Sequence, residues 1–364
     1  MENSITNRQI SFMIYTIIVG YGVINIPKDA AEIAGTGSWV TILILTIVFM
    51  MVTYIITYLQ YVYKDKTLFE YGQQLVGKFI TYVLIIILAI YFFIYFTMIV
   101  RIYSETIVLI MLFKTPEIYL CLLLYIVVFY ALIKGINVIA RLCEVYGLIN
   151  ILGFILVNSL LISKGRLVNI RPLFVTADLM TYLKGAVNII LPFLGMEALF
   201  FIPINKTNNK SIFRYTVMMI AFIGILYIYI VETIISIIGV ESVINLKTAF
   251  FTVVRGIDIN SLEFLRRLDG VCVIYFTMNV ICGVSLWGYG TITFTNKIFN
   301  KIKYKYIAII VTIIGFIVSQ LPKTKFQAEF ILKYNSYVGF LIVIVIPIIL
   351  FVITKVKKYD KQIL

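Results

Sequence analysis

The chain has 364 residues, 62% of them hydrophobic, a formal charge of +14 and no histidine, with a mean hydropathy of +1.04. A soluble domain of this size would need a largely apolar surface, so the composition excludes one and predicts a polytopic α-helical membrane protein, a single integral domain over 1–364. Without histidine there is no Ser-His-Asp chemistry, histidine metal site or histidine proton relay, and the basic excess suits cytoplasmic loops facing anionic lipid better than nucleic acid.

Residues 1–8 are short and polar, with none of the features of a removable leader, so the first span is expected to stay in the protein. The apolar runs predict ten spans, at about 10–33, 39–63, 79–111, 116–134, 139–163, 182–204, 211–238, 266–298, 304–321 and 334–355. They are too long and continuous for membrane-barrel strands. Basic residues gather at the termini and in alternate loops, among them Arg8, Lys78, Lys134, Arg141, Lys210, Arg214, Lys297, Lys301, Lys303, Lys305 and Lys355. That bias predicts cytoplasmic termini. The mixed polar and apolar segment 64–78 reads as an interfacial helix, and 246–255 as a short helix on the outer face.

Two spans carry helix-breaking residues. Span one contains Val19-Gly20-Tyr21-Gly22-Val23, two glycines in three residues, followed by Ile26-Pro27. Span six contains Leu191-Pro192-Phe193-Leu194-Gly195-Met196-Glu197. A carboxylate at bilayer depth costs about 2.5–3.5 kcal/mol on insertion scales, and freed backbone groups add to that unless protein or water satisfies them. Breaks in spans one and six of ten are the placement expected of a five-plus-five inverted repeat, about 10–163 and 182–355, whose discontinuous helices meet at the substrate site. Free N–H groups at a half-helix N-terminus would attract a carboxylate, and unwound carbonyls an ammonium or sodium.

Other polar residues lie deep. Arg101 and Glu105 share a face of span three, as an ion pair or as part of a polar path, and Phe93, Tyr95, Phe96 and Thr97 precede them. Glu144 follows Arg141 by three residues and is expected to pair with it. Glu232 has no local cation within a turn and is expected to face the bundle interior. Glu263, Arg266, Arg267 and Asp269 read as a local charge network, and Asn279, Cys282, Gly283 and Ser285 as close packing or the wall of a pocket. The four cysteines, Cys121, Cys143, Cys272 and Cys282, lack metal-ligand spacing and read as small buried apolar residues. No metal or cofactor is expected, no nucleophile has a recognisable base, and enzymatic chemistry is not expected.

Several motifs together resemble a known family. Gly20-Tyr21-Gly22, leading to Ile26-Pro27-Lys28-Asp29-Ala30-Ala31 and then Ala34-Gly35, Gly37 and Trp39, resembles the start of the endospore germination permeases, the B subunits of GerA-type germinant receptors. Pro192-Phe193-Leu194-Gly195-Met196-Glu197 resembles their sixth-span motif, and Arg267-Leu268-Asp269 the opening of their eighth span. The resemblance covers essentially the whole chain. It implies an all-α, LeuT-like fold of the amino acid–polyamine–organocation superfamily, and a nutrient sensor in the spore inner membrane beside an A-type membrane subunit and a C-type lipoprotein. By position it places Gly20, Tyr21, Gly22, Val23, Leu194, Gly195, Met196 and Glu197 around a small germinant, with an amino acid as the expected class. Phe96, Thr97 and Cys282 are weaker candidates from spans three and eight, and Arg101, Glu105 and Glu232 candidates for a polar or ion path. The alternative is an active secondary amino-acid transporter coupled to a proton or cation.

Overall fold

The computed structural model describes residues 5–63, 65–174, 179–205, 209–246, 248–256 and 268–358. Among them there is no strand. Seven segments are long and apolar enough to cross a membrane, or eight if one bent pair counts as a single span, which makes this a multi-pass membrane protein.

Helix α1 (Asn7–Ala34) starts at a reciprocal cap, in which the Thr6 hydroxyl accepts from the Gln9 N–H and the Gln9 side chain accepts from the Thr6 N–H. Gly35, at φ +54°, ends it, and α2 (Ser38–Val62) follows. Helix α8 (Ile212–Ile238) packs along both, and α1 and α2 lie within one 56-residue apolar segment. Most of α1 is buried, as expected of a helix apolar on all sides that forms a bundle's centre. It packs on α6 (Ile136–Ile162), α8 and α11 (Leu268–Ile298).

The expected break in α1 is absent: the helix runs unbroken through Gly20-Tyr21-Gly22. Its glycines serve close approach instead. A Cβ on Gly22 would lie 1.9 Å from the Tyr227 hydroxyl of α8, and one on Gly20 would meet the Asn279 carbonyl of α11 at 3.5 Å.

The segment read as interfacial forms α3 (Leu68–Val76), capped by the Thr67–Glu70 pair and tied to the end of α11 by a Glu70–Lys297 ion pair. Helices α4 (Lys78–Ile110) and α11, of 33 and 31 residues, run about 50 and 46 Å at 1.5 Å per residue, longer than the hydrocarbon core. Between α4 and α6 lies α5 (Glu117–Lys134). After α8, two short helices, α9 (Val240–Asn245) and α10 (Ala249–Arg255), pack on α1, where one was expected.

The closing elements are α12 (Tyr304–Ser319), α13 (Lys325–Phe340), a π-helical turn at Leu341–Val345 and α14 (Ile346–Val356). The last apolar segment thus begins at Lys325, nine residues before the expected 334. Its first turns are polar by composition but paired in space: Lys325 lies 3.5 Å from Glu329, and Glu329 accepts from Asn25 of α1 at 3.1 Å.

Candidate functional site

Span six is where helical geometry fails. Helix α7 (Leu179–Asn188) and the segment Leu191–Phe201 meet at a 65° bend. Pro192 sits in a single 3-10 turn, Leu194 is extended and Gly195 adopts φ +143°, a conformation only glycine takes without strain. A second 3-10 stretch, Met196–Phe201, then begins.

The groups freed by this break are paired with side chains, one distant and one local. The Pro192 carbonyl accepts from the Tyr227 hydroxyl at 2.9 Å; the same hydroxyl lies 3.2 Å from the Ile18 carbonyl of α1. The Gly195 N–H donates to Glu197 Oε2 at 2.8 Å, so the carboxylate caps its own half-helix. Glu197 Oε1 accepts from the Tyr91 hydroxyl of α4 at 2.5 Å. Glu197 is fully buried, and no basic side chain among the described residues pairs with it.

Several helices converge on this point. The Met196 sulfur accepts from Thr53 of α2 at 3.1 Å. Phe193 stacks on Phe49 and meets Tyr227 edge-on. Asn335 of α13 donates to the Tyr91 carbonyl at 3.1 Å. Where α13 passes closest, a Cβ on Gly339 would lie 2.8 Å from Leu194 and 2.9 Å from the Tyr91 hydroxyl. Tyr91 meets Tyr95 and Trp287 edge-on, and Trp287 of α11 stacks on Tyr95.

The family described as "Spore germination protein" matches residues 4–328 of this chain. The chain belongs to that family. Among curated relatives, "Spore germination protein YndE" of Bacillus subtilis (strain 168) is 22% identical over 99% of each chain. "Spore germination protein A2" of the same organism is 24% identical over 97% of this chain and 96% of the relative. "Spore germination protein B2", also from that strain, is 25% identical over 98% and 97%. A sodium-coupled sialic acid symporter in a substrate-bound, outward-open state superposes with a TM-score of 0.65 over 93% of this chain and 76% of its own, at 12% identity. That likeness shows the fold, a LeuT-like transporter architecture. None of these proteins is named as an enzyme.

Within this member of the spore germination family, Leu194, Gly195, Met196 and Glu197 sit together at the break. Gly22 touches it through Tyr227 and Pro192. Tyr21 accepts from Asn25 at 2.9 Å, and Val23 is buried in the core. Gly20 faces Asn279, whose amide is fully buried with neither polar atom bonded.

The remaining candidates lie in other surroundings. Phe96 packs edge-on against Tyr125 of α5 and fills the space beside Gly288 and Gly315. Thr97 donates within its own helix and lines a separate apolar cavity of 620 Å³ together with Phe93, Phe326 and Phe330. Cys282 meets Cys143 of α6 in the core. Arg101 is buried between Glu105, at 3.6 Å, and Glu117 at the start of α5. Both carboxyl oxygens of Glu232 are buried without a hydrogen-bond partner of good geometry, with the Trp39 N–H at the start of α2 within reach.

Glu144 pairs with Arg8 at 2.9 Å rather than with Arg141, because the N-terminus of α1 passes over α6. The network read around Glu263, Arg266 and Arg267 falls outside the described residues; Asp269 accepts from the Gly270 N–H at 2.9 Å.

Sequence reasoning missed Tyr91, Tyr227, Trp287, Asn25 and Glu329. The one local signal was the Tyr91–Tyr95 spacing of four, which puts both rings on one face of α4.

Proposed function

We propose that this protein is the transporter-like, nutrient-sensing subunit of a spore germinant receptor. In this reading it spans the spore inner membrane ten times, as two inverted repeats at about 10–163 and 182–355, with cytoplasmic termini. It works beside an A-type membrane subunit and a C-type lipoprotein. A small nutrient, an amino acid by class, binds between α1 and the broken sixth span, and occupancy shifts the helices into an arrangement that the partners read. Only a difference in ligand affinity between two arrangements can drive such a signal.

The observation that carries this reading is the sixth-span break in a chain of the spore germination family. A helix that only anchors has no use for a freed carbonyl, a freed N–H and a buried carboxylate at one point. Membership of the family, through residues 4–328, supports the germination role.

The test is a nutrient screen on spores lacking only this gene, beside the same spores with it restored. Loss of the response to one nutrient class, recovered on restoration, is expected. A deletion strain that answers every nutrient like its parent contradicts the reading. Gradient-driven accumulation of that nutrient by the purified chain in proteoliposomes would replace it with the transporter alternative.

A further inference from the structure

Beside Glu197, two buried polar atoms lack a hydrogen-bond partner of good geometry. Tyr95 and Trp287 stack with centroids 4.3 Å apart and planes 14° from parallel. Each residue is 1% exposed, yet Trp287 Nε1 makes no hydrogen bond, and the Tyr95 hydroxyl has the Tyr91 side chain within reach but no bond of good geometry. Tyr91, which donates to Glu197, meets the Tyr95 ring at 5.0 Å and the Trp287 ring at 6.0 Å, edge-on to both. One carboxylate without a cationic partner, three π systems, an orphaned indole N–H and a poorly bonded phenol therefore converge between α4, α11 and the sixth-span break.

Each feature asks for something specific. A carboxylate among aromatic faces attracts a cation. An indole N–H can only donate, so Trp287 needs an acceptor; a phenol can do either. Buried polar groups without partners are rare in folded proteins and point to a missing one. The half-helix N-terminus is not free to supply the anion-binding role expected of it. Its Gly195 N–H is already given to Glu197, so an incoming carboxylate would meet negative charge there.

We propose, on the footing that the chain binds a small nutrient at this break, that the nutrient is an amine whose ammonium is received by Glu197 against the rings of Tyr91 and Tyr95. An acceptor oxygen of the same molecule takes the hydrogen bond from Trp287 Nε1, with the Tyr95 hydroxyl beside it. An amino acid then lies with its charges opposite to the direction the half-helix alone would impose. The ammonium is indispensable, and the carboxylate is replaceable by an amide or a hydroxyl. Because the Tyr95–Trp287 stack fills the space and no hydrogen bond joins Trp287 Nε1 to a partner, binding must part α4 from α11. That movement links occupancy to helix rearrangement.

The chain contains two tryptophans, so Trp39→Phe leaves Trp287 as its one tryptophan, inside the proposed site and excited selectively beyond the absorption of the tyrosines. The full-length Trp39→Phe protein in lipid nanodiscs is titrated with methylammonium chloride, L-alanine, L-alaninamide and sodium acetate at matched concentrations and ionic strength. The three ammonium compounds are expected to change Trp287 emission and acetate to leave it unchanged, with Glu197→Gln weakening the response about tenfold or more. Glu197→Asp keeps the charge and is expected to keep the ranking, which separates loss of the site from loss of the fold. A response to acetate, silence toward all three ammonium compounds, or an unchanged response in Glu197→Gln overturns the proposal. The spore screen fails separately: a deletion that removes the response only to a nutrient without an amine keeps the sensor and overturns this chemistry. A deletion without effect, beside an ammonium-selective Trp287 response, does the reverse.

Discussion

Span one and span six carry the same warning in their sequences, and only one of them breaks. Gly20-Tyr21-Gly22 stays helical, whereas Leu191–Glu197 bends through 65°. The difference lies in what surrounds each backbone. At the sixth span the Tyr227 hydroxyl and the Glu197 carboxylate replace the lost helical bonds. Around Gly20 the nearest polar side chain, Asn279, bonds to nothing, and the α1 backbone keeps its own ladder. In a bilayer a break persists where other groups satisfy it, and a glycine pair supplies freedom without supplying those partners.

This contrast can be broken most forcefully at Gly195. Gly195→Val puts a β-branched residue at φ +143° and a Cβ 2.8 Å from Ile17. Backbone strain and overpacking together are expected to destabilise by more than about 3 kcal/mol, read as a large fall in the thermal-denaturation midpoint of the detergent-purified protein. Tyr227→Phe leaves the Pro192 carbonyl without its donor and is expected to cost about 1–3 kcal/mol by the same measurement. An unchanged midpoint would mean the break needs no external partner.

Gly20→Ala sharpens the comparison from the other side. Its Cβ meets only ordinary contacts, so in a continuous helix it is expected to stabilise by about 0.5–1 kcal/mol. Gly22→Ala, aimed at the Tyr227 hydroxyl 1.9 Å away, is expected to lower the midpoint instead. If Gly20→Ala raises stability but abolishes the nutrient response in spores, α1 opens at Gly20 during signalling.

The smallest effect concerns α3, outside the spans. Partial burial works against ionising Glu70, but hydrogen bonds from Lys297 and Thr67 outweigh it and hold the carboxyl below its usual range. A folded-state pKa below the unfolded one means the stabilisation is complete above the ordinary carboxylate range and fades as pH falls through the folded value. The pair is a third exposed, so screening leaves it worth under about 0.5 kcal/mol. Lys297→Met should flatten that acid-side loss in a pH series of denaturation midpoints.

Much of the architecture was legible because apolar run length is a local property that the bilayer enforces. The sixth-span break was legible too, since proline, glycine and a carboxylate at depth leave few other readings. The role of the α1 glycines was not, because Tyr227 lies more than two hundred positions away. Glu144 was assigned to its neighbour Arg141 for the same reason, whereas its partner is Arg8. The polar start of α13 falls before the span expected at 334–355, because the partner of Glu329, Asn25, lies in α1. Trp287 carried no signal beyond being one of two tryptophans. Each miss is a contact between distant segments, which span periodicity does not encode.

The central claim is that the sixth-span break is a ligand site rather than a kink. It is tested most directly by the nutrient concentration for half-maximal germination in spores whose only copy of this gene carries Glu197→Gln, at protein levels matched to the parent. A shift of about tenfold or more to higher concentration is predicted. A half-maximal concentration equal to the parent's would contradict the account.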